Sequence, residues 1–305
     1  KLINSMLKEV RYAYRVFNKY IGAPKVTIFG SARTRDEHPD YAMAKAFSES
    51  MAGHGWMSIT GAGDGIMKAG HEGPQREASF GLSIRLPFET SANEVIEGDP
   101  KLINFRYFFT RKLMFMSHAD AVVVFPGGFG TQDELFESLT LVQTGKSNIV
   151  PIVLLEHADG VYWKHWDNYL QYNLLDTGMI SPEDPGIYHV SRSVNDAVNH
   201  ILRFYSNYHS SRYVGSHLAI RVRERLNNDQ IEALNNEFGE LIESGRIEQT
   251  EALEGETDHL DLPRIVFHHT RHGYGLVRRM IDRINEYGSG ESADESASSM
   301  RGDVA

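Results

Sequence analysis

The stretch VVVFPGGFGTQDELFE, Val122 to Glu137, decides how this chain reads. Its apolar start has the pattern of a strand buried on both faces. PGGFGT follows, placing Gly127, Gly128 and Gly130 within one turn. TQDELFESLTLVQTG (131–145) then takes up helical spacing, with Gly145 as its C-cap. A glycine turn that opens a helix leaves N–H groups converging on one point, and the helix dipole adds positive potential there. Phosphate is the natural guest. Thr131 either places its hydroxyl on that phosphate or acts as the helix N-cap, because Thr131-x-x-Glu134 also fits a capping box.

Glu134 asks for more than phosphate, which would repel it. A sugar beside the phosphate gives a carboxylate one helical turn in something to do. It can bond ribose hydroxyls, or face the positive charge that develops at an anomeric carbon when a glycosidic bond breaks. Asp133 and Glu137 fall on other parts of the helix and read as solvated or supporting groups.

On either side the same alternation repeats. Strands are expected at 25–32, 56–60, 79–87, 120–126 and 149–156, with helices at 1–21, 40–55, the first half of 66–77, 105–119, 162–175 and 193–208. Short apolar strands between helices imply an α/β fold, a Rossmann-like doubly wound parallel sheet with helices on both faces. Ligands of such sheets sit beyond the carboxyl ends of the strands. Three glycine turns lie there: GSA with Gly30 and Ser31, GAGDG with Gly61, Gly63 and Gly65, and PGGFGT. With Ile66 after Gly65, G-x-G-x-x-G is not met, which demotes a dinucleotide in favour of a mononucleotide. TGKS (144–147) lacks the leading glycine of a P-loop and ends a helix instead of opening one.

After about residue 206 the order changes to strand 216–226, helix 228–245 ended by Gly245, strands 246–254 and 263–271, and helix 274–288. The expected organisation is an N-terminal helix (1–22), a main domain (23–205), a small α/β domain (206–288) and a disordered tail (289–305) that is rich in serine and acid. FHHTRH holds His268, His269 and His272, but at a strand end with no adjacent acid, so no metal site is expected.

Composition narrows the function. A formal charge of −10 over 305 residues argues against binding long nucleic acid, though not against a small phosphorylated ligand. With no cysteine, thiolate catalysis, disulfides and Cys-ligated zinc drop out, which fits a cytoplasmic protein. No apolar run approaches the roughly 20 residues that span a bilayer, so no membrane partner is expected.

Arg111 and Lys112, followed by PGGFGTQDE at 126–134, pair in a way that resembles the Lonely Guy (LOG) family. Its P-G-G-x-G-T-x-x-E motif is complete here, and the resemblance covers roughly 23–205. GSA (30–32) and GAGDGIM (61–67, including Met67) occupy the places of its other nucleotide-contacting turns, with Ala62 where a glycine is usual. The resemblance implies hydrolysis of the N-glycosidic bond of a nucleoside 5′-monophosphate, AMP-like or a cytokinin riboside monophosphate. It implies Arg111 and Glu134 as the catalytic pair and phosphate binding at Gly127, Gly128, Gly130 and Thr131, with Lys112 alongside. It also implies no cofactor, a homodimer or larger homo-oligomer, and an ACT-like character for 206–288. The alternative is a non-catalytic carrier of a nucleotide or phosphorylated cofactor. Family members have been labelled lysine decarboxylases, but no Schiff-base lysine with a carboxylate for the pyridine nitrogen can be singled out.

Overall fold

The computed structural model describes residues 2–84 and 92–288. The end of the expected 79–87 strand, the start of loop 87–104 and the 289–305 tail lie outside those residues. The chain clusters into two compact units. One is built from Lys1–Leu139, Val150–Leu170 and Tyr188–Val198, the other from Thr140–Ile149, Gln171–Ile187 and the chain from Asn199 onward.

The first unit is organised on a parallel sheet of seven strands. These are β1 (Lys25–Phe29), β2 (Met57–Thr60), β3 (Ser79–Ile84), β4 (Leu102–Phe105), β5 (Ala121–Val124), β6 (Ile152–Leu155) and β7 (Tyr188–Ser191). Their spatial order is β4-β3-β2-β1-β5-β6-β7. β1, β2, β5 and β6 are buried at every residue, the reason their sequences, Lys25 apart, run in apolar and small residues. The helices are α1 (Leu2–Phe17), α2 (Pro39–Gly53), α3 (Ile66–Glu72), α4 (Phe108–Ser117), α5 (Phe129–Gln143), α6 (Tyr162–Leu170) and α7 (Val194–Phe204). The chain leaves β1 toward β2, β3 and β4, then returns to pair β5 on β1's other edge. β1 and β5 therefore flank the switch point of a Rossmann-like doubly wound fold, the place where ligands of such sheets bind.

Several expected elements shift. β4 occupies 102–105, so α4 starts at Phe108 and not at 105. β4 and β7 are edge strands with mixed burial, and neither LINF nor YHVS shows a clear period in sequence. α5 starts at Phe129, two residues before Thr131. Past Leu170, α6 widens into a π-helical turn over Gln171–Leu175.

The second unit carries an antiparallel sheet of β8 (Tyr208–Val214), β9 (His217–Val222), β10 (Ile242–Thr250) and β11 (Arg264–His269), ordered β10-β11-β9-β8. Helices α8 (Asn228–Glu237) and α9 (Tyr274–Gly288) complete it. β8 was hidden in sequence, because its polar YHSSRYV follows directly on a helical run. Gly245 does not end α8. It lies inside β10 with φ +79°, where the pairing with β11 slips register, so its left-handed backbone serves a bulge. Gly145, with φ +64° and its N–H on the Val142 carbonyl, does act as the C-cap of α5. The FHHTRH histidines are separately occupied. His268 bonds Ser244 (2.8 Å), while His269 lies between the Tyr213 hydroxyl (2.5 Å) and the His272 carbonyl (3.0 Å).

Among the described residues, no helix is long and apolar enough to cross a membrane.

Candidate active site

The turns after β1 and β5 are stitched together across the switch point. Phe125 N–H donates to the Phe29 carbonyl (2.8 Å) and Ser31 N–H to the Pro126 carbonyl (3.2 Å). The turn after β2 joins them through Ile66 N–H, which donates to the Ser31 carbonyl (3.1 Å). A cleft of about 900 Å³ opens above the three turns.

PGGFGT forms one wall. The first hydrogen bond of α5 runs from Gln132 N–H to the Gly128 carbonyl (3.0 Å), so the N–H groups of Phe129, Gly130 and Thr131 precede it and have no helical acceptor. Thr131 is the third helical residue, and its side chain packs against the Gly127 backbone. Among the described residues it makes no reciprocal capping pair with Glu134, so the capping-box reading does not hold. A β-carbon at Gly128 or Gly130 would meet nothing within 4 Å. The left-handed glycines are elsewhere in the chain, so neither crowding nor backbone geometry demands glycine at these two cleft positions.

GAGDG forms the opposite wall for different reasons. A β-carbon at Gly61 would overlap the Arg111 guanidinium and sit 2.6 Å from Met67 Sδ. Gly65 has φ +59° and abuts the Ser31 carbonyl. Ala62, where the family usually has glycine, is itself left-handed at φ +63°. Buried His71 bonds Thr60 (2.9 Å) and Asn93, and Asn93 in turn donates to the Gly63 carbonyl (3.0 Å). Burial pushes His71 down to about 4, so it is a neutral post that holds the turn.

Arg111 and Glu134 face the same space. Arg111 is aimed by its Nε–H on the Leu82 carbonyl (2.8 Å) and lies over the Phe115 ring. The Glu134 side chain is 12% exposed. Burial raises its carboxyl to about 7, against the pull of Lys112 and Arg111 and with the push of Glu137 and Asp133. Lys112 is not itself in the cleft lining, and its ammonium reaches three carboxylates, Glu137 (2.6 Å) and the lining residues Asp133 (2.9 Å) and Glu134 (3.7 Å). Asp133 and Glu137 thus act as supports through that shared ammonium.

Gly30, Ser31, Gly61 and Met67 line the cleft, as do Gly127, Gly128, Gly130 and Thr131. Gly63, Gly65 and Lys112 lie outside the lining and shape it from behind. Among the described residues that line the cleft there is no lysine.

Sequence reading missed Tyr162. Its hydroxyl donates to the Gly127 carbonyl (2.5 Å) and accepts from Gln132 Nε2 (2.7 Å), and Gln132 Oε1 accepts from Trp166 Nε1 (2.9 Å). In a trans peptide the N–H opposes the C=O. Holding the Gly127 carbonyl therefore fixes the Gly128 N–H. Only an aromatic run in YWKHW hinted at this brace.

A family described as "Possible lysine decarboxylase" matches residues 61–201, a span that contains Arg111 and the PGGFGT turn. A "Cytokinin riboside 5′-monophosphate phosphoribohydrolase" from Mycobacterium tuberculosis is 32% identical over 145 residues, covering 46% of this chain and 73% of that protein. A "Probable cytokinin riboside 5′-monophosphate phosphoribohydrolase LOG4" from Oryza sativa subsp. japonica is 35% identical over 97 residues, covering 32% of this chain and 40% of that one. Among solved structures, the molybdenum cofactor carrier protein of Chlamydomonas reinhardtii superposes with a TM-score of 0.40 at 20% identity, over 59% of this chain and 98% of that one. That score is too low to bear on activity. With identity of 32% across nearly three-quarters of the mycobacterial protein, and a complete P-G-G-x-G-T-x-x-E turn at the switch point, the chain belongs to the Lonely Guy (LOG) family.

Proposed function

We propose that the protein hydrolyses the N-glycosidic bond of a nucleoside 5′-monophosphate, AMP-like or a cytokinin riboside monophosphate, to free base and ribose 5-phosphate. One observation carries this reading: a desolvated carboxylate, Glu134, shares a cleft with Arg111 one helical turn behind an anion-binding turn. A carrier of phosphorylated ligands gains nothing from Glu134 there. The 5′-phosphate rests on the N–H groups of Gly128 to Thr131 at the positive end of α5. The ribose then extends along the helix toward Glu134. As the bond from C1′ to the base nitrogen lengthens, positive charge grows on the sugar ring, and ionised Glu134 faces it. Water adds to C1′, the electron pair of the broken bond leaves with the base, and the proton released by water balances the base nitrogen. Arg111 holds the substrate on the opposite side. The similarity to the named phosphoribohydrolases supports the same reaction. We infer a homodimer working on the cytoplasmic nucleotide pool, the assembly that family membership favours.

The test is chromatography of reactions with AMP, GMP, IMP, CMP, UMP and isopentenyl-AMP. Base release from at least one, reduced about 10²–10³-fold in Glu134→Gln, is expected. Tight nucleotide binding with no release from any would leave the carrier reading in place. Because the ionised carboxylate is the active form, kcat/KM should rise as pH rises through about 7. Lys112→Met removes a cation that favours ionisation and should move that limb to higher pH. Folding also raises this carboxyl from 4.5 to about 7, so its contribution to stability falls as pH rises through that window. Glu134→Gln should therefore be at least as stable as the parent at pH 8, which separates lost chemistry from lost fold.

A further inference from the structure

A second cavity, of about 970 Å³, borders the phosphate turn from behind, with Ser31, Gly127 and Tyr162 on both its wall and the cleft's. Its floor holds Asp40, in the first turn of α2 and 3% exposed. Asp40 Oδ1 accepts from the His157 backbone N–H (2.7 Å) and meets His157 Nδ1 (2.9 Å). Asp40 Oδ2 takes no hydrogen bond among the described residues and lies 3.6 Å from His38 Nδ1. The two imidazoles stand edge to face, 5.5 Å apart.

The electrostatics of this carboxylate are unlike those of its counterparts. Buried Glu256 is held by the guanidinium groups of Arg221 (2.7 Å) and Arg264 (3.0 Å), and Asp99 by the Lys101 ammonium (2.8 Å). Among the described residues, the ion-pair partners of Asp40 are the two histidines, with no lysine or arginine within 4.0 Å. A carboxylate taken out of water needs a countercharge, and a neutral imidazole does not supply one. Glu37, Glu156 and Asp159 line the same cavity together with Arg33 and Arg35, and Glu156 also lies 3.7 Å from Arg192.

The donor set fits a cation. Among the described residues, His38, Asp40 and His157 form the group whose ligand atoms all lie within 4.8 Å of one another. Two imidazoles and a carboxylate suit zinc and its first-row neighbours, whose ligand atoms in a tetrahedral site stand roughly 3.4 Å apart. The carboxylate meets the two imidazoles through different oxygens, Oδ1 2.9 Å from His157 Nδ1 and Oδ2 3.6 Å from His38 Nδ1, distances on either side of that value. Binding through His38 Nδ1 would displace the 3.1 Å cap bond it now accepts from Asp40 N–H, a modest loss. We propose that His38, Asp40 and His157 form a site for one divalent transition-metal ion of the zinc class, open on its remaining side to the cavity behind the phosphate turn. The site ties the start of α2 to the segment after β6. Spacing cannot reveal it, since two ligands lie 117 residues apart.

The test titrates the whole, metal-stripped chain with ZnCl₂ by calorimetry and with CoCl₂ by visible absorption. One equivalent per chain, with cobalt ligand-field bands, is expected. His157→Ala and His38→Ala should each weaken binding by about 100-fold or more. Zinc should raise the melting temperature of the parent and not of the variants. The His157 backbone N–H still reaches Asp40 in His157→Ala, so the fold is not at stake in that variant. No saturable binding, or binding that both variants leave unchanged, overturns the proposal. Neither readout involves nucleotide hydrolysis, so this inference and the proposed activity stand or fall separately.

Discussion

The GAGDG and PGGFGT turns read alike in sequence, each a glycine cluster between a strand and a helix, yet the structure uses their glycines for opposite purposes. In GAGDG the protein itself demands them. Arg111 and Met67 fill the space beside Gly61, and Gly65 is left-handed against the Ser31 carbonyl. In PGGFGT Gly127 is likewise packed, against Thr131, and the contrast lies in Gly128 and Gly130, beside which the space is open. The first turn is shaped by what already packs against it. The second is shaped for close approach by something else. A glycine motif is therefore two kinds of statement, and only the surroundings of each β-carbon position separate them.

Substitution should split the two turns cleanly. Gly65→Val forces a β-branched residue into left-handed backbone against a carbonyl, and should cost about 3 kcal/mol or more in urea unfolding. An unchanged midpoint would break the contrast. Gly128→Val should leave the urea midpoint within ~0.5 kcal/mol. Calorimetry with ribose 5-phosphate should nonetheless show affinity falling by about 10–100-fold, as the new side chain enters the anion's place. Loss of stability with binding intact would reverse the assignment of this turn. Tyr162→Phe removes the hydroxyl that holds the Gly127 carbonyl, and should weaken ribose 5-phosphate by about 5–10-fold. A nucleoside lacking the phosphate should bind as before. If both ligands weaken equally, Tyr162 supports the cleft as a whole and not the turn. Ala62→Gly is the smallest test. Relief of left-handed strain is offset by a looser unfolded chain and a lost buried methyl, so thermal unfolding should shift by less than about 1 kcal/mol.

What was legible in the sequence follows the same physics. β5 and β6 stood out because burial on both faces leaves no polar residue in them, and β1 and β2 because each runs into a glycine turn. β4 and β7 did not, because edge strands bury only part of their surface and LINF and YHVS show no clear period. β8 was lost because local pattern cannot show where a helical run gives way to polar strand. In the cleft, the glycine turn was readable from its own residues, and the pairing of Arg111 with Glu134 came from the family resemblance. Tyr162, which lies 35 positions from the carbonyl it holds, was not. Lys112 was legible as a charge but not in its direction, since three carboxylates compete for it and only geometry shows that they win.

The phosphate turn has a kinetic consequence. On the proposed reaction it grips the half of the substrate that cleavage does not set free. The base loses its covalent tether in the chemical step, while ribose 5-phosphate keeps every contact with the start of α5. Departure is thus ordered, base first and sugar phosphate second. Ribose 5-phosphate is then a competitive inhibitor, and the rate at which that anion leaves the turn sets an upper limit on turnover. The better the turn holds substrate, the more it slows the enzyme at the end of each cycle.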